Sequence, residues 1–138
     1  FNFVVCDQKG LIARVAATPE KVDVEYPESG FLIQTNHYIT KEMKMIENPE
    51  LIFTSSITRY QHAMNWFENR KGQITMDYIK KLTQKGLEQG GVWDHGVHEG
   101  VKYASIWSWI KDYSTSGLDL TPGIPCENEY QKIDLFHI

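Results

Sequence analysis

The sequence lacks the features that point to a membrane or a nucleic-acid partner. No apolar run approaches the roughly 20 residues of a transmembrane helix, and no signal peptide opens the chain. The 14 basic residues are scattered among 18 acidic ones, which gives 138 residues a formal charge of −4. This excludes the clustered positive charge expected of nucleic-acid or anionic-membrane binding, so neither partner is predicted.

Cysteine is also scarce, since Cys6 and Cys126 are the only two and lie in unrelated contexts. Such a pair predicts neither a disulfide framework nor a zinc knuckle, and a reducing, cytoplasmic compartment is favoured. Cys6 follows two valines, with no histidine or charge placed to lower its thiol pKa. We therefore expect Cys6 to be a structural thiol rather than a nucleophile, and we interpret Cys126, in a loop-like stretch, in the same way.

The order of local patterns, strands then helices then strands, is typical of a layered α+β domain. The first 38 residues predict three strands, which are FNFVVC, LIARVAA and KVDVEY. The turn DQKG between the first two is a good hairpin signal, with glycine at its end. The apolar stretch FLIQT predicts a further, central strand, which runs directly into the polar residues QTNH.

Two amphipathic helices are predicted in the middle of the chain. Over residues 55–72, apolar side chains recur at steps of three and four, as on one face of a helix. Ser55 or Ser56 is the expected N-cap of this helix, and Gly72 is its expected end. The second helix is predicted to follow Thr75 as its cap.

The chain returns to strand patterns after a glycine-rich segment. VKYASIWSWI predicts a strand buried on both faces, and two short strands over GLDLTPG and EYQKIDLF follow. Within the glycine-rich segment, DHGVHE offers two histidines flanked by carboxylates, but its glycine favours a loop. No third ligand cluster is apparent in the sequence, so we predict no metal site.

Two residues near the ends of these elements are candidates for chemistry. Asn36, at the end of the predicted strand, could donate its side-chain N–H to an oxyanion, or it could satisfy the backbone of a turn; spacing alone favours the turn. Arg59, in the expected first turn of its helix, opposes the helix dipole, and a broken local rule of this kind often marks a functional site. The alternative for Arg59 is a solvated side chain that reaches a surface carboxylate.

Four motifs in order resemble the C-terminal half of the cysteine Ntn-hydrolases, from about Phe3 to Phe136. They are TNHY after a strand, SSITRY opening a helix, YASIWSWI, and LTPGIPCENEY. The nearest resemblance is to the acyl-coenzyme A:6-aminopenicillanate acyltransferase-like family, and more distant relatives are the choloylglycine hydrolases, penicillin V acylases and acid ceramidase. The resemblance implies an αββα sandwich of two stacked antiparallel sheets between helical layers. It also implies hydrolysis of a linear amide, or acyl transfer through a thioester, with no cofactor beyond acyl-coenzyme A as a conceivable acyl donor.

The resemblance also assigns roles to individual residues. The nucleophile of such enzymes is a cysteine that autoproteolysis frees as the N-terminal residue, whose own α-amine serves as the base. Asn36 of the TNH motif would help to form the oxyanion hole, and Arg59 of the SSxxR motif would lie beside the nucleophile. His37 and Tyr38 are the candidates for contact with the substrate.

One departure from the family pattern is large, because neither Cys6 nor Cys126 stands where the nucleophile belongs. The chain also starts at Phe1, inside a strand-like run and without an initiator Met. We therefore expect residues 1–138 to be a single domain, the C-terminal segment of a longer chain, and inactive alone. Its expected partners are the N-terminal segment that carries the cysteine and a small amide or acyl substrate, and self-association stays open. The alternative is a non-catalytic α+β binding or interaction domain.

Overall fold

Helices and antiparallel sheets make up the described part of the chain, which covers residues 1–7, 9–98 and 100–134 of a computed structural model. The predicted α+β class is therefore confirmed. The chain divides into two compact units, the first from Phe1 to Met64 and the second beginning at Asn65. No helix within the described ranges is long and apolar enough to cross a bilayer.

The first unit begins with an antiparallel sheet in the order β1-β2-β3. Its strands are β1 (Asn2–Cys6), β2 (Ile12–Ala17) and β3 (Val22–Glu25). The predicted hairpin between β1 and β2 is confirmed. Asp7 Oδ1 accepts the backbone N–H groups of Lys9 and Leu11, both at 2.9 Å, and Gly10 takes a left-handed φ of 84°. Gln8 of this turn lies outside the described residues.

The two faces of this sheet differ in burial. Arg14 and Ala16 of β2 are both buried, and they share one face because strand side chains alternate. The opposite face carries Phe3 and Val5 of β1, both of which are exposed. The strand predicted over FNFVVC is thus an edge strand, with apolar side chains on the exposed face of the sheet.

The predicted strand over FLIQT is also wrong, because residues 31–35, all of them described, lie outside the strands. The carbonyl oxygen of Ile33 accepts a hydrogen bond from Arg14 Nη2 at 2.8 Å. A buried guanidinium, whose Nη1 also pairs with Glu25 at 2.5 Å, therefore holds this segment in place of a strand ladder.

Two α-helices follow in the first unit, α1 (Lys41–Lys44) and α2 (Thr54–Glu68), and the unit boundary falls within α2. A helix is confirmed within the predicted range 55–72, but it ends at Glu68 instead of Gly72, and its predicted N-cap is wrong. Since α2 begins at Thr54, Ser55 and Ser56 lie inside its first turn. The Ser56 hydroxyl instead contacts a loop about 20 residues earlier in the chain.

The second unit contains α3 (Met76–Thr83), whose predicted cap is confirmed because Thr75 Oγ1 accepts the Tyr78 N–H at 3.2 Å. Its strands are β4 (His95–His98), β5 (Val101–Ala104), β6 (Ser108–Lys111), β7 (Gly117–Thr121) and β8 (Gln131–Asp134). β4 and β5 form an antiparallel hairpin, and the other three form a sheet in the order β6-β7-β8. Leu135 and Phe136 of the last predicted strand lie outside the described residues.

Two sequence predictions for the second unit are wrong. DHGVHE is not a loop, because β4 pairs with β5 from His95 to His98. VKYASIWSWI is not one strand buried on both faces, because it breaks between residues 104 and 108 into β5, which pairs with β4, and β6, which pairs with β7. Trp107 and Trp109 are 53% and 52% exposed.

Candidate active site

Asn36 and Arg59, 23 positions apart in the sequence, are in direct contact. Arg59 Nη2 donates to Asn36 Oδ1 at 2.7 Å, and Arg59 Nε donates to the Ser55 carbonyl at 3.2 Å in the preceding helical turn. A guanidinium has donors and no acceptor, so the amide of Asn36 must present its oxygen to Arg59. The Nδ2 group of Asn36 is therefore turned away from Arg59, on an exposed side chain.

The backbone of the loop that carries Asn36 is held by one buried hydroxyl. Ser56 is fully buried, and its Oγ accepts the backbone N–H of Asn36 at 2.9 Å and that of His37 at 3.1 Å. The same Oγ lies 2.8 Å from His37 Nδ1. Because α2 supplies both Ser56 and Arg59, one helix fixes the backbone and the side chain of Asn36.

The carbonyl groups of the same loop are bound by two other side chains. Asn2 Nδ2, at the start of β1, donates to the Asn36 carbonyl at 2.9 Å. Gln34 Nε2 donates to the carbonyls of Thr35 and His37 at 2.7 and 2.9 Å. Side chains thus satisfy the loop backbone where a strand ladder would otherwise do so, which is how buried irregular backbone is stabilised.

His37 is buried, with 9% of its surface exposed, and its ring meets the Tyr60 ring edge-on with centroids 5.7 Å apart. Burial lowers the pKa of His37 below its ordinary value, and the Glu47 carboxylate opposes this shift. Folding therefore favours the neutral ring. Its predicted contact with the substrate stays a prediction.

Tyr38 is half-buried and bonded at both ends. Its backbone N–H donates to Glu47 Oε1 at 2.8 Å, and its hydroxyl donates to the Ala17 carbonyl at 3.2 Å. Substrate binding by Tyr38 likewise stays a prediction.

The two cysteines have environments unlike that of an activated thiolate. Asn2, at the start of β1, contacts the Asn36 loop. Cys6 lies at the other end of β1, four residues further along the strand and hence on the order of 13 Å from Asn2. Desolvation, and next the Glu127 carboxylate, raise the pKa of the Cys126 thiol.

The described residues contain no group of three or more histidine, cysteine or acidic side chains arranged to hold a metal ion. His95 of DHGVHE is exposed and lies against the Trp93 ring, with centroids 4.2 Å apart. Glu99 of the same stretch lies outside the described residues.

Sequence reasoning missed three residues of this site, namely Ser56 as a loop anchor, Asn2 and Gln34. The second serine of SSxxR was interpreted only as a possible helix cap. For Asn2 the sequence offers no signal, because its bond to the Asn36 carbonyl spans 34 positions.

The described residues combine antiparallel sheets with an asparagine–arginine pair beside a helix. Comparison with known proteins identifies the family. A family model described as acyl-coenzyme A:6-aminopenicillanic acid acyl-transferase matches residues 1–115. The chain therefore belongs to this family, whose members are Ntn-type acyltransferases and hydrolases. No curated protein and no solved structure matches the sequence.

Proposed function

We propose that residues 1–138 are a C-terminal domain of an Ntn-type enzyme that hydrolyses linear amides or transfers acyl groups through a thioester. The nucleophile in this proposal is an N-terminal cysteine from a segment outside these residues, because the settings of Cys6 and Cys126 favour structural thiols. Family membership supports the reaction class. The substrate is a small amide or an acyl donor, and the family's description makes acyl-coenzyme A one candidate donor.

The contact between Arg59 and Asn36 carries the proposal. Attack on an amide or thioester carbonyl turns its oxygen into an oxyanion, which fixed N–H donors stabilise far better than mobile ones. Arg59 holds the oxygen of the Asn36 amide, so the two N–H bonds of Nδ2 point outward in a fixed direction. Asn36 is then a donor to the oxyanion, oriented before the substrate arrives.

Arg59 has a second role in this mechanism. Its guanidinium stays charged at every relevant pH, so it favours the thiolate over the thiol in any cysteine brought near it. It would therefore lower the pKa of the nucleophile as well as orient Asn36.

The αββα sandwich is part of the same proposal. Both three-stranded sheets are antiparallel, and each carries exposed apolar side chains, such as Phe3 and Val5 on β1 and Trp109 on β6. Apolar faces of this kind are what stacked sheets bury between them.

The test is turnover of penicillin V and of an N-acyl amino acid by the full-length protein, with intact-mass detection of an acyl-enzyme. We expect hydrolysis or acyl transfer, and a loss of about 10²-fold or more in kcat for Asn36→Ala with a modest change in KM. Asn65→Ala is the matched control, because Asn65 is an exposed asparagine on α2. Absence of turnover and of acyl-enzyme would contradict the proposal and favour a non-catalytic binding domain.

A further inference from the structure

The hydroxyl of Ser56 has a complete and unusual set of hydrogen bonds. A hydroxyl offers two acceptor positions and one donor. The backbone N–H groups of Asn36 and His37 occupy both acceptor positions, at 2.9 and 3.1 Å. The Ser56 O–H must therefore donate, and His37 Nδ1 at 2.8 Å is the acceptor that the described residues place beside it.

This geometry determines the tautomer of His37. A nitrogen that accepts the Ser56 O–H carries no proton, so Nδ1 is bare and the ring proton sits on Nε2. Thr35 Oγ1 lies 3.1 Å from the same Nδ1, and its O–H can share that acceptor. Two hydroxyls thus face one ring nitrogen, which favours the neutral Nε2–H form.

We propose that Ser56 and His37 are positioning residues for Asn36, an inference that rests on the proposed function. The neutral ring of His37 accepts a hydrogen bond from the Ser56 hydroxyl, which keeps both lone pairs of Oγ directed at the loop backbone. Ser56 then fixes the backbone of Asn36 while Arg59 fixes its side chain. Both anchors are needed to hold the Nδ2 group at one point.

Protonation of His37 would break this arrangement. The imidazolium carries an N–H at Nδ1, so it faces the Ser56 O–H as a second donor, and the hydroxyl must rotate and release a backbone N–H.

The groups that face His37 determine the pH range in which its ring is protonated. Burial is the largest cause that keeps its pKa below 6.5, while Lys44 of α1, Arg59 of α2 and Arg14 of β2 lower it further and Glu47 raises it. The arrangement therefore holds at neutral pH and is lost on acidification through a pKa below 6.5.

The first test needs no activity. In the full-length protein, the ring nitrogen shifts of His37 in NMR should report the Nε2–H tautomer at neutral pH, and the backbone amide of Asn36 should shift as His37 titrates. The side-chain amide signals of Asn36 should move in Ser56→Ala and stay in place in Ser55→Ala. A protonated Nδ1, or Asn36 signals that ignore both changes, would overturn the inference.

The second test uses kinetics. His37→Asn keeps an acceptor near the Nδ1 position but cannot be protonated, so we expect it to lack the part of the acid-side decline in kcat that protonation of His37 causes in the wild type. His37→Ala and Ser56→Ala should lower kcat by about 10- to 100-fold with little change in KM, because a displaced donor costs rate rather than binding. A pH profile of His37→Asn that superimposes on the wild type would overturn the inference.

The two tests separate two kinds of failure. If the wild-type protein turns over no amide or acyl substrate, the proposed function fails, and the Asn36 signals alone decide whether Ser56 and His37 hold that residue. If turnover is normal in His37→Ala and Ser56→Ala, the proposed function stands and the positioning role is wrong.

Discussion

Two short polar stretches, QTNH at residues 34–37 and DHGVHE at residues 94–99, look alike in the sequence but differ in the structure. The backbone of the first is bound by side chains from distant elements, among them Asn2 and Ser56. The second lies largely in β4, where strand pairing with β5 satisfies its backbone, and His95 is exposed. The first stretch is a candidate site because side chains from distant elements bind its backbone. Its polar composition alone does not distinguish it from the second stretch.

The largest effect that we expect is the loss of kcat in Arg59→Ala. In the proposed mechanism, Arg59→Ala removes the group that orients Asn36 and the charge beside the nucleophile, so we expect kcat to fall by about 10²-fold or more, with little change in melting temperature. Steady-state kinetics and thermal melts of the full-length protein measure both. The matched control is Arg70→Ala, because Arg70 is exposed and packs over the Tyr78 ring. A collapsed melting temperature for Arg59→Ala would favour a structural role instead.

The next effect is on stability. Ser56→Ala leaves two N–H groups of the Asn36 loop without their acceptor, so we expect the free energy of unfolding to fall by about 1–3 kcal/mol. Ser55→Ala, which removes the neighbouring hydroxyl, should stay within about 0.5 kcal/mol of wild type. Denaturant unfolding of the two variants decides this, and equal losses would mean that the Ser56 contacts contribute no net stability.

We expect a smaller effect of pH on the free energy of unfolding, through His37. The pKa of His37 is lowered in the folded state, so the unfolded chain binds the proton more tightly. Its contribution to stability is therefore complete above 6.5 and is lost as the pH falls through the folded-state pKa. His37→Asn should flatten this part of the curve of unfolding free energy against pH, and an unchanged slope would count against the buried neutral ring.

The smallest effect is expected from a substitution in the second stretch, DHGVHE. His95 is exposed and belongs to no metal-binding group among the described residues, so His95→Ala should change stability by no more than about 0.5 kcal/mol and leave kcat unaltered. Zinc titration followed by thermal melts should give the same midpoint for wild type and variant. A zinc-dependent rise in the wild-type midpoint that His95→Ala removes would restore the metal hypothesis.

Local signals predicted the local parts of the fold. The hairpin turn depends on Asp7 and Gly10, and the start of α3 depends on Thr75, so each is encoded within a few residues. The helix α2 was predicted from its apolar period, but its start was not. Ser56 resembles an N-cap in sequence, and only the loop about 20 residues earlier explains why its hydroxyl is used elsewhere.

The wrong strand predictions depend on partners that the composition of the segment does not encode. FLIQT has the composition of a strand, but a buried Arg14 guanidinium takes the Ile33 carbonyl that a strand ladder would use. No period in VKYASIWSWI marks the point where pairing with β4 ends and pairing with β7 begins. Asn36 and Arg59 were identified as candidates from their local positions, and their roles were assigned from the motifs of a resembled family. The contact between them is a tertiary feature that spacing alone does not predict.

The most direct test of the account is kcat of Asn36→Asp in the full-length protein. Aspartate keeps an acceptor for Arg59 and has nearly the same shape, but it replaces the Nδ2 donor with an oxygen. We expect a kcat lower by about 10²-fold or more, with a melting temperature at or above that of the wild type and with Asn65→Asp as an active control. A variant with wild-type kcat and an intact fold would contradict the central claim that Asn36 donates to the oxyanion.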